Sequence, residues 1–406
     1  MGRLTNLVTS AFRPSLTWLG GIVIALAVSA YPATAQNFQT QAPHAILMDA
    51  ESGTVLFEKA ADESFAPASM AKLMTVEILF HELEQGRIGM DTEFVISENA
   101  WRKGGAKADG SSMFAQLNSR VKVSDLLRGI IVQSGNDASI AVAEGIAGTE
   151  ENFARMMTER AREIGLVKSV FKNATGYGHP DQKVTAREMA KLSVHLIEKF
   201  PELYKIFAER EFTWTKIRQQ NRNPLLADFP GADGLKTGFL DESGYALTGS
   251  AVQNGQRLIL VVSGLKTSRD RAAESRKLLD FGFRAFEARQ LFAEGDPVAE
   301  AQVFGGAQRS LPLVSHKPIR VLMPRGAGEK LAARVVYVGP LRAPVQKGAR
   351  VARLEVMRGD VQALDVPLYA GEDVPVGTIT QRAWDGLLEV GTGWIRRAFS
   401  SVVNRG

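Results

Sequence analysis

Four serines in this chain stand three residues before a lysine: Ser69, Ser119, Ser169 and Ser263. A serine hydroxyl one helical turn from a lysine suits covalent acyl transfer, provided the lysine sheds its proton and acts as base. Ser69 and Lys72 have the best setting. Pro67 precedes them, and Met70, Leu73, Met74, Ile78, Leu79 and Leu83 recur at helical spacing until Gly86. Ser69 is therefore expected to open a long amphipathic helix. Its N–H would lie in the positive potential of the helix start, with Lys72 on the same face. Taken alone, the pair reads more readily as a helix cap followed by a solvated lysine.

Two further motifs change that balance. Ser134-Gly135-Asn136 follows an apolar helical stretch at 123–132, where a loop should begin. A hydroxyl and an amide two residues apart can both face a cleft, one relaying a proton and one binding a substrate amide. Ser97-Glu98-Asn99 shows that the pattern also arises as a plain turn. Lys236-Thr237-Gly238 is the one Lys-[Ser/Thr]-Gly in the chain. Its Lys and Thr can hold a carboxylate, and its Gly lets a substrate lie against the backbone; the plain alternative is a strand that begins with a bulge. The order Ser-x-x-Lys, Ser-x-Asn, Lys-Thr-Gly is a signature of penicillin-binding proteins and serine β-lactamases. Only Ser69 precedes Ser134 at a domain-scale distance, 134 − 69 = 65 residues.

The elements that must carry these motifs read as follows. Residues 44–49 and 54–57 form strands about the turn Glu51-Ser52-Gly53. Helices are expected at 69–85, 123–132, from about Ser139, at 151–164 and at 185–200, the last with Thr185 and Glu188 in capping-box spacing. Strands at 244–251 and 257–264 flank Gln253-Asn254-Gly255, and a helix at 271–286 closes the unit. Strands at both ends with helices between them predict one α/β domain over 38–287. From 288 to 382, short β-branched runs at 319–322, 334–338 and 350–354 alternate with Gly/Pro turns and predict a small all-β domain.

The chain ends suggest location. Arg3 and Arg13 precede an apolar stretch at 19–30, and Ala33-Thr34-Ala35 fits a small-x-small cleavage site. Residues 1–35 are thus expected to be an export signal. Over 383–406, Trp384, Leu387, Leu388, Trp394, Ile395 and Phe399 share one helical face, opposite Asp385, Glu389, Arg396 and Arg397. That pattern predicts an amphipathic helix lying on a membrane surface, or docked on protein. The 406 residues carry 49 Lys+Arg and 44 Asp+Glu, a net charge of +5 with no basic run, which gives no case for nucleic acid. Cysteine is absent, so disulfides and thiolate chemistry are excluded. The five histidines lack zinc-helix spacing, and no metal or cofactor is expected.

The chain resembles the low-molecular-mass penicillin-binding proteins, the serine-type D-alanyl-D-alanine carboxypeptidases. The resemblance rests on residues 67–75 (PASMAKLMT), 134–138 (SGNDA) and 233–238 (DGLKTG), on Asn221-Arg222-Asn223 with Leu225-Leu226, and on Arg271 leading into residues 274–279 (ESRKLL). It implies a penicillin-binding/serine β-lactamase-like transpeptidase domain, an antiparallel sheet with helices, followed by the β-rich domain and the terminal amphipathic helix. It implies Ser69, Lys72 and Ser134 as catalytic groups. Asn136, Lys236, Thr237, Gly238, Arg222 and Arg271 would bind substrate, with Arg271 on the terminal carboxylate. The backbone N–H groups of Ser69 and Phe239 would form the oxyanion hole. The implied partners are peptidoglycan pentapeptide, β-lactam antibiotics and the outer face of the cytoplasmic membrane, which places the protein in the periplasm. Many relatives carry His after Lys-Thr-Gly, where this chain has Phe239.

Other readings stay open at this point. A β-lactamase of class A would need a deacylating Glu beyond Ser-x-Asn, and the stretch after Gly165 offers none. Endopeptidase action on D-Ala-linked crosslinks uses the same site. A non-catalytic wall-binding scaffold would keep the cleft without the turnover.

Overall fold

The computed structural model describes residues 38–108, 110–325, 331–358, 361–379 and 381. The expected export signal (1–35) and membrane-associating helix (383–406) lie outside the described residues. Among the described residues, no helix is long and apolar enough to cross a membrane.

A five-stranded antiparallel sheet organises the first part of the chain. Its strands run, side by side, Val55–Lys59, His44–Asp49, Gln256–Leu265, Gly244–Gln253 and Ala232–Leu240. The last two residues of the Gln253-Asn254-Gly255 stretch have φ of 51° and 78°. Positive φ at both positions is what a tight Asn-Gly hairpin needs. The two central strands are buried almost continuously, from Ala246 to Ala251 and from Leu258 to Ser263. Strands covered on both faces lose the alternation of a half-exposed sheet.

Period two decides which face each residue serves. Ile46, Met48, Ile259 and Val261 belong to the main helical core with Met70, Leu73 and Met74. Leu47 and Leu258 point the other way, onto Gly282 of the Ser268–Ala285 helix. There a Cβ on Gly282 would lie 2.5 Å from Leu258 Cδ1, so only glycine lets the helix sit this close. The Lys72–Glu84 helix runs through that core and is buried nearly all round. Its Glu77 is fully buried and pairs with Arg160 Nη2 at 2.9 Å, which compensates the buried charge, and His195 Nε2 lies within hydrogen-bond distance at 3.1 Å. Thr185 caps the Ala186–Lys199 helix by accepting from Glu188 N at 3.1 Å, as its spacing predicted.

Three local expectations are corrected. Ser69 does not open an α-helix. It sits in a 3-10 turn, Ala68–Ala71, and the α-helix begins at Lys72. The 123–132 helix is α-helical only over Val123–Arg128 and widens into a π turn over Gly129–Gln133. The helix expected from Ser139 starts three residues earlier, at Asn136, since Gly135 turns the chain and Ser139 Oγ bonds back to Gly135 O.

Beyond the last helix the chain is all β. Phe286–Phe292 pairs with Ile319–Pro324. A six-stranded sheet orders Leu331–Tyr337, Arg350–Arg358, Val361–Ala370, Ser310–Val314, Pro297–Phe304 and Leu341–Arg342. Its core is separate and built from residues such as Leu311, Leu313, Leu354, Val356 and Leu368. The two parts meet through Arg325 N donating to Ala285 O and through the exposed pairs Arg320–Glu51 and Lys317–Glu198. Such surface pairs contribute at most about 1 kcal/mol each.

Candidate active site

The three motifs come from three different elements. Ser69 and Lys72 lie on the 3-10 turn and the first helical residue, Ser134 and Asn136 on the exit of the π turn, and Lys236, Thr237 and Gly238 within the edge strand Ala232–Leu240. They converge on one cleft of about 780 Å³. Its walls include Ser69, Ser134, Asn136, Arg222, Thr237, Gly238, Phe239 and Arg271. Lys72 and Lys236 lie beneath the wall, 0 % and 2 % exposed. All ten candidate residues are therefore gathered at one place.

Local backbone explains how each side chain is aimed. Pro67 starts the turn and Ala68 adopts φ 50°, which swings Ser69 out of the helical path. Ser134 is left-handed, at φ 67° and ψ 31°, at the end of the π turn. Non-glycine residues pay strain in this region, and π turns tend to mark functional positions. Asp137, fully buried, then ties the neighbouring loop to this helix start. Its carboxylate accepts from Ser112 Oγ at 2.7 Å, Met113 N at 2.9 Å and Ala115 N at 3.1 Å. Asn221 and Asn223 brace the segment carrying Arg222: Asn223 Nδ2 donates to Gly234 O at 2.7 Å and Asn221 Nδ2 to Glu209 O at 2.9 Å. Gly238 permits a close approach of the strand to the Ser69 turn, since a Cβ there would lie 3.0 Å from Pro67 O.

The hydrogen bonds of Lys72 define the chemistry. Its Nζ lies 3.1 Å from Ser69 Oγ, 2.7 Å from Asn136 Oδ1 and 2.5 Å from Thr175 O. Burial, followed by the Arg222 charge, lowers its pKa to about 7, against weaker upward effects of Asp137 and Glu150. A neutral amine has two N–H donors and one lone pair. Two of the three neighbours, Asn136 Oδ1 and Thr175 O, are pure acceptors and take both N–H groups. The lone pair is left for the Ser69 hydroxyl, whose proton then points at Nζ.

That assignment requires the Asn136 amide to be fixed, and a residue outside the sequence motifs fixes it. Tyr177 has one hydroxyl proton and donates it to Lys103 O at 2.6 Å. It can then only accept from Asn136, whose Nδ2 lies 2.9 Å away, so Oδ1 must face Lys72. Sequence reading missed Tyr177, Thr175 and Gly176, which have no motif and meet the site only through folding. Their loop is held by Thr75 Oγ1 donating to Ala174 O and by Gly176 N donating to Asn173 Oδ1.

Gly176 offers a direct test of this packing. It has φ 84°, and a Cβ would lie 1.9 Å from Ala68 O and 2.9 Å from Ser69 N. Gly176→Ala must therefore displace the Ser69 turn. The expected result is a fall of about 100-fold in acylation of the site serine, as for a misplacement near 1 Å. A variant that acylated at the native rate would show that the turn tolerates the shift.

The remaining charges are positive. Among the described residues, Lys236 Nζ makes only a long contact, 3.4 Å, to Thr237 O. Burial and the charges of Lys72, Arg222 and Arg271 hold its pKa well below that of a free lysine. Arg271 is likewise desolvated, and its Nε is buried without a hydrogen-bond partner among the described residues. Ser134 Oγ is also buried and unpartnered there. Lys236, Arg222 and Arg271 together make one small cleft attractive to an anion of carboxylate size.

A penicillin-binding/serine β-lactamase-like fold with a serine–lysine centre is the class that these features define. The comparisons narrow it. Residues 31–267 match the D-alanyl-D-alanine carboxypeptidase family (Peptidase_S11), and residues 286–376 match the C-terminal domain of penicillin-binding protein 5. The chain belongs to that carboxypeptidase family. It is 38% identical over 358 residues to the D-alanyl-D-alanine carboxypeptidase DacC of Escherichia coli (strain K12), covering 87% of this chain and 90% of that one. The crystal structure of penicillin binding protein 5 from Haemophilus influenzae aligns with a TM-score of 0.74 at 36% identity, over 83% of this chain and 98% of that one. Penicillin-Binding Protein D2 from Listeria monocytogenes, in its ampicillin bound form, aligns with a TM-score of 0.55 at 28% identity, over 61% of this chain and all of that one.

Proposed function

We propose that this protein is a serine-type D-alanyl-D-alanine carboxypeptidase that works through an acyl-enzyme on Ser69. The observation that carries the reading is the Lys72 amine: buried, near neutrality, and with its lone pair left for the Ser69 hydroxyl. Family membership supports it over residues 31–267 and 286–376.

Lys72 takes the Ser69 proton as Oγ attacks the carbonyl of the penultimate D-Ala. The N–H groups of Ser69 and Phe239 stabilise the oxyanion. Collapse of the tetrahedral intermediate breaks the C–N bond, and the departing amine of D-alanine receives the proton held by Lys72 through Ser134, whose Oγ has no other partner among the described residues. Water then attacks the ester, its proton passing to Lys72, and Ser69 regains its own. Lys236, Thr237, Arg222 and Arg271 hold the terminal carboxylate, and Asn136 holds the peptide amide. β-Lactams acylate the same serine, as the ampicillin-bound Listeria relative suggests.

The chain is organised as a carboxypeptidase domain at 38–287 and a β-rich domain at 288–382, exported by residues 1–35. It is held on the outer face of the cytoplasmic membrane by 383–406, where peptidoglycan pentapeptide is available. The support for export and attachment is the sequence pattern of the two ends.

The test is release of D-alanine from a pentapeptide ending in D-Ala-D-Ala, with covalent labelling by fluorescent penicillin. Binding of the peptide without D-alanine release would instead mark a scaffold.

A further inference from the structure

We propose that the Phe239 side chain is the wall of a subsite for the side chain of the departing residue and selects an apolar terminal D-amino acid. This rests on the carboxypeptidase reading and adds a substrate preference to it.

Phe239 is an aromatic residue left 46 % exposed, and it lines the cleft. On the edge strand it alternates in step with Thr237, so the two side chains share a face. It is paired in register with Tyr245 on the neighbouring strand. Their rings lie 4.3 Å apart at 33°, a tilted stack that pins the Phe239 ring in place. The Tyr245 ring also receives the Arg271 guanidinium, 5.6 Å from its centroid. Arg271 has its Nε buried and unpartnered among the described residues, so the aromatic face is a main neighbour of this cation.

These contacts place an exposed apolar face and a carboxylate-binding cation on one aromatic support. A terminal amino acid carries its carboxylate and its side chain on the same carbon. When the carboxylate engages Arg271 and Thr237, the side chain is brought beside Phe239. A methyl covers little of the ring, whereas a larger apolar group would cover it and exclude water. Each added buried methylene is worth about fourfold by transfer, and up to about 10–200-fold in a well-fitted apolar pocket. A polar or charged terminal side chain would be desolvated there without a partner.

The experiment compares kcat/KM for two peptides ending in D-Ala-D-Ala and D-Ala-D-Leu, by quantifying the released D-amino acid. The readout is their ratio in the unaltered chain, Phe239→Ala and Phe239→Leu. The expected result is a fall of about tenfold in the D-Leu to D-Ala ratio for Phe239→Ala, with the ratio largely kept in Phe239→Leu. Fluorescent-penicillin labelling of each variant reports that the site is assembled. An unchanged ratio in labelled Phe239→Ala would overturn the subsite alone. Release of neither amino acid by the unaltered chain would overturn the carboxypeptidase reading, and the subsite with it.

Discussion

Ser69→Ala is expected to abolish both fluorescent-penicillin labelling and D-alanine release, the latter by at least about 10⁴-fold. The reason is geometric as well as chemical. Among the described residues, Lys72 is the buried lysine whose Nζ lies within hydrogen-bond distance of a serine in the cleft, and that serine is Ser69. Ser134 shares the cleft, but its left-handed backbone holds its Oγ buried and, among the described residues, unpartnered rather than on the amine. It is not placed to substitute as nucleophile. Ser69 Oγ has little structural work, so the variant should still melt cooperatively. Labelling that survived in Ser69→Ala would move the nucleophile elsewhere and defeat the assignment.

Lys72→Met should be almost as severe, about 10²–10⁴-fold in the acylation rate, the usual range for a lost general base. Met keeps the unbranched stem in a fully buried position and removes only the amine. The pH profile makes the prediction sharper. Lys72 acts as base only when neutral, and burial together with Arg222 lowers its pKa to about 7. Below pH 7 the protonated form dominates, and acylation should fall about tenfold for each pH unit. Above pH 7 the rate should level off. Arg222→Gln removes a repelling charge, so Lys72 stays protonated to higher pH and the acid limb should move upward. An acid limb near pH 4 that ignored Arg222 would point to a carboxylate base instead. The check is the second-order acylation rate of a chromogenic β-lactam from pH 5 to 10.

The reach of the sequence differs from element to element. The hairpin at Asn254-Gly255 and the Thr185 cap were legible because each is decided by neighbours within four residues. The six-stranded sheet was legible only as a series of short β-branched runs, because strand order depends on partners far along the chain. The 3-10 turn at Ser69 was not legible at all. Helical periodicity continues through it, and the left-handed backbone of Ala68, with Gly176 packed against its carbonyl, appears only in the folded chain. The π turn before Ser134 escaped for the same reason, since an apolar run does not reveal one extra residue in a turn.

The sequence by itself put forward the candidate set, Ser69, Lys72, Ser134, Asn136, Lys236 and Thr237, as three motifs in the order of a known signature. Residue type and order suffice there because the chemistry demands particular functional groups. The tertiary structure alone decided how those groups are poised. It buried Lys72 and surrounded it with Asn136 Oδ1 and Thr175 O, fixed the Asn136 amide through Tyr177, and set Phe239 on Tyr245 beside Arg271. A pKa, an amide orientation and a stacked ring all depend on desolvation and on atoms tens of residues away. No local pattern in the chain encodes them.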